Sequence, residues 1–178
     1  TNLKIFINYL GELFKKLDKF GTSIALVDTN KIKVTYEEIQ TNADILKKKI
    51  KEKKLILIVA ENSLGSILSY VYSIINDYVI IFVDSQLKED EIKKIINKYR
   101  PNSIACQNKK LVNLIKKKKY TKIFNTHDNY YFYKTNFKTF KINKKLQILL
   151  PTSGSLGSNK YVKISKENIY ENTISIIK

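Results

Sequence analysis

The residues best suited to chemistry form a loop of serine, threonine and glycine between two apolar segments. The loop belongs to the stretch LLPTSGSLGSNKYVKISKEN, residues 149–168. Small residues let backbone N–H groups approach an anion closely, hydroxyl groups add hydrogen-bond donors, and a lysine neutralises negative charge. The composition therefore indicates a loop that holds phosphate. An ordinary Ser/Gly-rich surface loop is the simpler alternative.

The spacing of this loop excludes two common phosphate motifs. The P-loop GxxxxGK[ST] needs glycine directly before its lysine, whereas Asn159 precedes Lys160 and Tyr161 follows it. Gly154 and Gly157 do not form GxGxxG, and the loop lies late in the chain rather than after the first strand. Neither a Walker-type site nor a dinucleotide site is therefore predicted.

The loop instead resembles the signature loop of the adenylate-forming enzymes, the acyl-CoA synthetase and amino-acid adenylation family, usually written [ST][SG]G[ST]TGxPKG. The matching residues are Thr152, Ser153, Gly154, Ser155, Gly157 and Lys160. Three residues depart from the pattern, since Leu156, Asn159 and Tyr161 replace Thr, Pro and Gly. By this resemblance the matching hydroxyls and glycine backbone would hold the β- and γ-phosphates of ATP, and the lysine would counter their charge.

The family resemblance also implies a reaction and partners. A carboxylic acid, whether fatty, aryl or amino acid, would attack ATP to form an acyl-adenylate. The acyl group would then pass to the thiol of coenzyme A or of carrier-protein phosphopantetheine, with Mg²⁺ as the metal. The resemblance thus implies an AMP-forming acid–thiol ligase. The stretch around the loop looks closest to ligases from glycan-modification pathways.

A capping box predicts the first helix of the chain. Thr35 followed by Glu38 can satisfy two orphan N–H groups at a helix start. Four apolar residues then repeat at helical spacing, namely Ile39, Ala43, Leu46 and Ile50. The pattern is that of an amphipathic helix, and it resembles the family's TYxEL segment.

Residues 54–106 alternate between strand and helix patterns. Apolar runs at 55–60 and 79–83 predict strands, and Ser63 can cap the helix between them. The apolar positions predicted to face inward on that helix are Leu64, Ile67, Leu68, Val71 and Ile75. The next helix is expected to bury Ile92, Ile95 and Ile96 and to end before Pro101.

This alternation predicts an α/β fold, a mostly parallel sheet with helices on both faces. The order of segments resembles the N-terminal subdomain of the acyl-CoA synthetase-like fold. Asn62 and Ser63 stand before the buried helix and Asp84 follows the second strand, as in the family. Asp77 and Tyr78 occupy a turn where the family usually has glycine.

Residues 107–145 resemble the family least. A short helix is predicted from about Lys110, ending in the basic run Lys116–Lys119, where lysines suit the negative end of the helix dipole. The aromatic run Tyr130–Tyr133 has high β propensity, although it also resembles a base-stacking platform. With the polar stretch 126–129 before it, we expect it in a hairpin or edge region.

The high net charge suggests nucleic acid as a partner, but the near absence of arginine argues against it. The net charge is +17, but Arg100 is the single arginine among 33 basic residues. Base recognition relies heavily on the bidentate fork of arginine. An abundance of Lys, Asn and Ile also fits A/T-rich coding. We therefore expect a solvated basic surface, with a nucleic-acid-binding α/β module as the alternative.

The remaining reactive residues predict no further site. His127, the only histidine, is expected to be a loop residue, because a zinc site needs more ligands. Cys106 is expected to be a small buried residue at the end of a strand. No secretory or membrane-length apolar segment appears, so the expected location is cytoplasmic, without a membrane partner.

Length limits what this chain is expected to do. At 178 residues it suits one domain, residues 1–178, whereas a complete enzyme of the family is well over twice as long. We therefore expect an N-terminal subdomain that is inactive alone, with no catalytic residue and no metal ligand of its own. A non-catalytic interaction domain of the same fold is the last alternative, based on the three departures in the loop.

Overall fold

The chain folds around a seven-stranded sheet. The computed structural model describes residues 16–52, 54–107, 111, 120–138, 140–152 and 160–177. In chain order the described elements are a 3-10 helix (Lys16–Phe20), β1 (Ile24–Val27), β2 (Lys33–Thr35), α1 (Tyr36–Lys49), β3 (Leu55–Ala60), α2 (Leu64–Ile75), β4 (Val79–Asp84), α3 (Glu89–Tyr99), β5 (Ser103–Cys106), β6 (Thr121–His127), β7 (Tyr130–Lys134), β8 (Leu146–Pro151), β9 (Tyr161–Ser165) and α4 (Lys166–Ile177).

Parallel strands form the centre of the sheet, and antiparallel pairs flank them. The order is β6-β7-β5-β3-β4-β8-β9, while β1 and β2 form a separate hairpin. β5, β3, β4 and β8 run parallel, and β7, β6 and β9 join them antiparallel. The predicted α/β fold with a mostly parallel sheet is confirmed.

Helices cover both faces of the sheet. The chain leaves β3 through α2 to reach β4, then returns through α3 to β5 on the other side of β3. Right-handed crossovers in opposite directions place successive helices on opposite faces. Ile56 and Ile58 accordingly pack in the core beneath α1 and α2, whereas Leu57 and Val59 pack beneath α3. All four side chains are fully buried.

The capping box at the start of α1 is confirmed. The Glu38 N–H donates to Thr35 Oγ1 at 3.2 Å, and the Thr35 N–H donates to Glu38 Oε2 at 2.7 Å. The hydrogen bonds that Thr35 donates to the Glu38 carboxylate lower the pKa of that carboxyl. The predicted apolar stripe of the helix is buried in full, comprising Ile39, Ala43, Leu46 and Ile50.

The inward face of α2 differs from the prediction. Leu64 and Leu68 are buried as expected, but Ile67 is 44% exposed and its prediction was wrong. Val71 and Ile75 are half-buried. Small residues fill the face instead, including Gly65 and the serines Ser66, Ser69 and Ser73. They let the helix lie close to the β6–β7 hairpin, where the Ser69 and Thr126 hydroxyls are 3.0 Å apart.

The turn after α2 contains a residue with left-handed backbone geometry, at a position where the sequence resemblance led us to expect glycine. Asp77 has φ +59°, in the left-handed region that glycine adopts most readily. The N–H groups of Asp77 and Tyr78 donate to the carbonyls of Ile74 and Ser73 at 3.0 and 2.9 Å, which is the Schellman arrangement. Asp77 Oδ1 also lies 2.5 Å from Nζ of Lys166, the first residue of α4.

The end of α3 agrees with the prediction. Ile92, Ile95 and Ile96 are buried. The helix stops at Tyr99, and Arg100 adopts φ +49° directly before Pro101. The Arg100 guanidinium lies over two phenylalanine rings, at 5.4 Å from Phe137 and 5.5 Å from Phe140.

The aromatic run forms a hairpin near one edge of the sheet, as predicted. β7 pairs with β6, which is the edge strand on this side. One detail was wrong: His127, expected in a loop, is the last residue of β6. The turn is Asp128–Asn129, whose φ angles of +45° and +62° are those a type I′ turn requires. The predicted helix from Lys110 to Lys119 lies outside the described residues, except that Leu111 is helical and buried.

The remaining expectations concern single residues and possible metal or membrane sites. Cys106 is fully buried, and burial raises the pKa of its thiol to about 12. His127 Nδ1 lies 2.9 Å from Asp128 Oδ2. Within the described ranges, no three His, Cys, Asp or Glu side chains gather as a metal site would need. None of the described helices is long and apolar enough to cross a bilayer.

Buried tyrosines make the fold sensitive to alkali. Tyr72 is 1% exposed, and burial raises the pKa of its phenol to about 12. Burial also raises the pKa values of Tyr78 and Tyr130. The folded state holds these protons more tightly than the unfolded state, so their contribution is complete below pH ~10 and is lost as the pH rises towards ~12.

We expect the urea midpoint to fall between pH 10 and 12. The free energy of unfolding should fall less steeply with pH in Tyr72→Phe, by about 1.4 kcal/mol per pH unit. The reason is that this variant lacks one phenol proton that the folded state holds more tightly than the unfolded state. Tyr131→Phe is the control, since its hydroxyl bonds Asn129 at the surface. Equal slopes in the parent and in Tyr72→Phe would contradict the prediction.

Candidate functional site

The loop predicted to hold phosphate joins β8 to β9 at the carboxyl edge of the sheet. We call residues 152–160 the β8–β9 loop. β8 runs parallel to β4, and β4 runs parallel to β3, so the loop leaves the sheet at the edge where those strands also end. Ligands of open α/β sheets bind outside this edge. The topology therefore places the loop where a ligand site is expected.

Hydrogen bonds between its two ends close the loop. The Thr152 N–H donates to the Lys160 carbonyl at 3.0 Å, and Thr152 Oγ1 donates to the same oxygen at 3.2 Å. These bonds extend the β8–β9 ladder one step beyond the pair Pro151 and Tyr161. Thr152 and Lys160, predicted as site residues from separate ends of the motif, are thus brought together.

Four other predicted residues lie outside the described part of the chain. They are Ser153, Gly154, Ser155 and Gly157. Leu156 and Asn159, two of the departures from the family pattern, lie there too. The phosphate-holding role of these residues stays a prediction.

Lys160 places a positive charge at the base of the loop. Its side chain is exposed, and among the described residues no carboxylate lies within 4 Å of it. The neighbouring Thr152 is also exposed. An exposed ammonium group can bind an anion such as phosphate, because no described carboxylate neutralises its charge.

Tyr161, the third departure from the family pattern, has a packing role. Its ring meets that of Tyr99 at the end of α3 edge-on, with centroids 5.1 Å apart and planes at 69°. Burial, with a smaller contribution from the nearby Tyr99, raises the pKa of the Tyr161 phenol to about 12. A glycine at this position could not make the contact. The sequence motif marks Tyr161 only as a mismatch, whereas the structure shows what the ring contacts.

Two carboxylates stand at the same edge, where β3 and β4 end. Ala60 and Asp84 are register partners, and α2 and α3 leave from here to opposite faces. Glu61 follows β3, and burial raises the pKa of its carboxyl. Asp84 Oδ1 accepts the Gln86 N–H at 2.8 Å. Sequence reasoning named Asp84 but missed Glu61, whose place directly after a buried strand was the available signal.

Comparison with known proteins rests on structure. The sequence matches no protein-family profile and no curated protein. ATP-bound MatB from Rhodopseudomonas palustris aligns with a TM-score of 0.68 and 18% identity over 94% of this chain and 37% of MatB. VinN in complex with 3-methylaspartate gives a TM-score of 0.67 and 13% identity, over 94% of this chain and 50% of VinN.

A third structure extends the likeness. The Klebsiella oxytoca NpsA N-terminal subdomain, in complex with 3-hydroxyanthranilyl-AMSN, gives a TM-score of 0.57 and 19% identity over 87% of this chain and 40% of that one. The chain thus spans between 37% and 50% of the length of these three structures. Its fold is that of a part of the NpsA N-terminal subdomain and of the matching parts of MatB and VinN, which are adenylate-forming enzymes.

Proposed function

We propose that this chain is the N-terminal part of an ATP-dependent ligase that activates a carboxylic acid as its acyl-adenylate. One observation carries the proposal. The segment that matches the adenylate-forming signature is closed by Thr152 and Lys160 at the carboxyl edge of the sheet. The fold around it is shared with MatB, whose structure contains ATP. Motif, position and fold therefore support the same reaction.

Adenylation requires that the acid and ATP be positioned for reaction and that the phosphate charge be neutralised. A carboxylate oxygen of the acid attacks the α-phosphorus of ATP, and the bond to the β-phosphate oxygen breaks to release pyrophosphate. Such in-line displacement needs aligned groups and neutralised charge, not a covalent nucleophile from the protein. In the proposal, the Lys160 ammonium contacts the departing phosphates, and the Thr152 hydroxyl does so once it releases the Lys160 carbonyl. The matching serines and glycines of the loop add their donors.

Magnesium fits the reaction but needs ligands beyond those described. Mg²⁺ prefers oxygen ligands and neutralises phosphate charge. The described residues bring no three candidate ligands together. We therefore propose that the rest of the enzyme supplies the protein ligands of Mg²⁺.

The acid and the acceptor are proposed by class. VinN forms complexes with 3-methylaspartate and with L-aspartate, and the NpsA N-terminal subdomain forms one with 3-hydroxyanthranilyl-AMSN. We propose a fatty, aryl or amino acid as substrate, and coenzyme A or carrier-protein phosphopantetheine as acceptor, in a cytoplasmic enzyme. A place in a glycan-modification pathway rests on the sequence resemblance alone.

ATP–pyrophosphate exchange tests the proposal. The complete protein that contains this chain is assayed against a panel of amino, short-chain and aryl acids, with residues 1–178 alone in parallel. Exchange that depends on one acid would establish adenylation and identify the substrate class. We expect none from the isolated chain. A folded complete protein that neither exchanges pyrophosphate nor binds ATP would overturn the proposal in favour of the interaction domain.

A further inference from the structure

We propose that Tyr161 is a positioning residue for the nucleotide, because it fixes the outgoing end of the β8–β9 loop to helix α3. The inference rests on the proposed function and adds a residue to it. Its partner is Tyr99, so α3 would help to set the place of Lys160, which the motif predicts to contact phosphate. Tyr99, Lys160 and Tyr161 all lie in the described part of the chain.

The first step is the contact between the two rings. Tyr161 opens β9 and turns its half-buried ring towards the core beneath α3. The Tyr99 ring meets it edge-on at 5.1 Å. This geometry is favourable for aromatic pairs, since the positive edge of one ring faces the negative face of the other. The side chain of Tyr161 is therefore held by α3 and not by its own hairpin alone.

The second step links the ring to the loop. Tyr161 follows Lys160 directly, and the Lys160 carbonyl accepts both the N–H and the hydroxyl of Thr152. Holding Tyr161 in place thus constrains the peptide of Lys160 and, through it, the start of the loop. Both ends of the loop depend on the same short stretch of backbone.

The third step explains why an anchor is needed at this point. Tyr161 is paired with Pro151, and because the next pair, Thr152 and Lys160, is the hydrogen-bonded one, the pair Pro151 and Tyr161 exchanges no ladder hydrogen bonds. β9 is also the edge strand, with Val162 49% exposed and Lys163 exposed. The backbone of Tyr161 therefore faces away from β8 on an edge strand, and its ring contact with Tyr99 adds an attachment at this position. The far end of the strand is secured separately, where Lys166 pairs with Asp77.

The test compares nucleotide and acid kinetics in the complete protein. Tyr161→Ala is expected to raise the KM for ATP in pyrophosphate exchange about tenfold, near the upper value of an aromatic pair. The KM for the acid should stay within about twofold. Tyr161→Phe keeps the ring and should behave as the parent. Tyr99→Ala should match Tyr161→Ala, and the double variant should be no worse than either single one.

Tyr131→Ala is the matched control. Tyr131 is half-buried and meets Tyr133 edge-on at 6.3 Å, so its removal also breaks a tyrosine pair. That pair lies on β7, towards the opposite edge of the sheet from β9, and we expect the KM for ATP to stay unchanged. Equal rises in both KM values, an effect of the control as large as that of Tyr161→Ala, or Tyr161→Phe behaving like Tyr161→Ala would overturn the proposal.

A readout without activity separates this proposal from the proposed function. Hydrogen exchange of the Thr152 amide, followed by NMR, should accelerate in Tyr161→Ala and not in Tyr131→Ala, because the bond to the Lys160 carbonyl loosens. Unchanged protection would refute the anchoring even in an active enzyme. Absence of pyrophosphate exchange in the parent would refute the proposed function, and the amide measurement would still decide whether Tyr161 holds the loop.

Discussion

Lys160→Ala is expected to reduce acid-dependent pyrophosphate exchange by the complete protein roughly 100-fold or more, the scale of losing one well-placed charge-stabilising donor. Lys160 is exposed at the base of the β8–β9 loop, and no described carboxylate lies within 4 Å of it. Removing it should therefore leave the fold intact while the phosphates lose their counter-charge. The measurement is kcat and KM for ATP, with the thermal midpoint as a check on folding.

Lys163→Ala is the matched control for this experiment. Lys163 is an exposed lysine on β9, three residues after Lys160, so the two variants lose the same charge. A general effect of net charge on ATP attraction would reduce activity equally in both. A specific phosphate contact predicts a large loss only at Lys160. Near-parent exchange in Lys160→Ala would contradict the assigned role.

Gly65→Ala is expected to lower the free energy of unfolding by about 2 kcal/mol. A Cβ at this position would lie 2.5 Å from the Cβ of Tyr130 and 2.9 Å from the carbonyl oxygen of His127. Neither atom is the free end of a flexible side chain, so α2 and the β6–β7 hairpin must separate. Overpacking of this kind costs up to ~3 kcal/mol, and the better helix propensity of alanine returns ~1.

The expected loss corresponds to a fall of about 4–8 °C in the thermal midpoint for a chain of this size. Lys94→Ala serves as the control, because it changes an exposed side chain of α3 and should stay within ~0.5 kcal/mol. A Gly65→Ala protein as stable as the parent would show that the helix and hairpin are not in close contact.

Local signals in the sequence predicted the central fold well. The Thr35 and Glu38 capping box needs only residues three positions apart, so its hydrogen bonds could be read before any tertiary contact was known. The stripe from Ile39 to Ile50 and the buried isoleucines of α3 follow from helical periodicity. The order of strands and helices then restricted the sheet to parallel crossovers.

Periodicity failed where the partner of an element was unknown. On α2 the apolar stripe pointed to Ile67, yet the buried face contains Gly65 and Ser69. A serine or glycine is buried there because the β6–β7 hairpin comes close, and that hairpin lies some 60 residues further along the chain. His127 was misplaced for a related reason, since a polar residue can occupy a strand end when the next strand pairs with it.

In the candidate site, too, some features follow from local sequence and others only from tertiary contacts. Three features could be predicted without any tertiary contact, because they depend only on neighbours in the chain. They are the phosphate-binding composition of the loop, its match to the adenylate-forming signature and the strands on either side. Only the tertiary structure decided that the Lys160 carbonyl accepts both bonds from Thr152, and that Tyr161 packs against Tyr99. Tyr99 and Tyr161 are 62 positions apart in the chain, so folding of the sheet and α3 had to bring their rings together before Tyr161 could be seen as more than a mismatch.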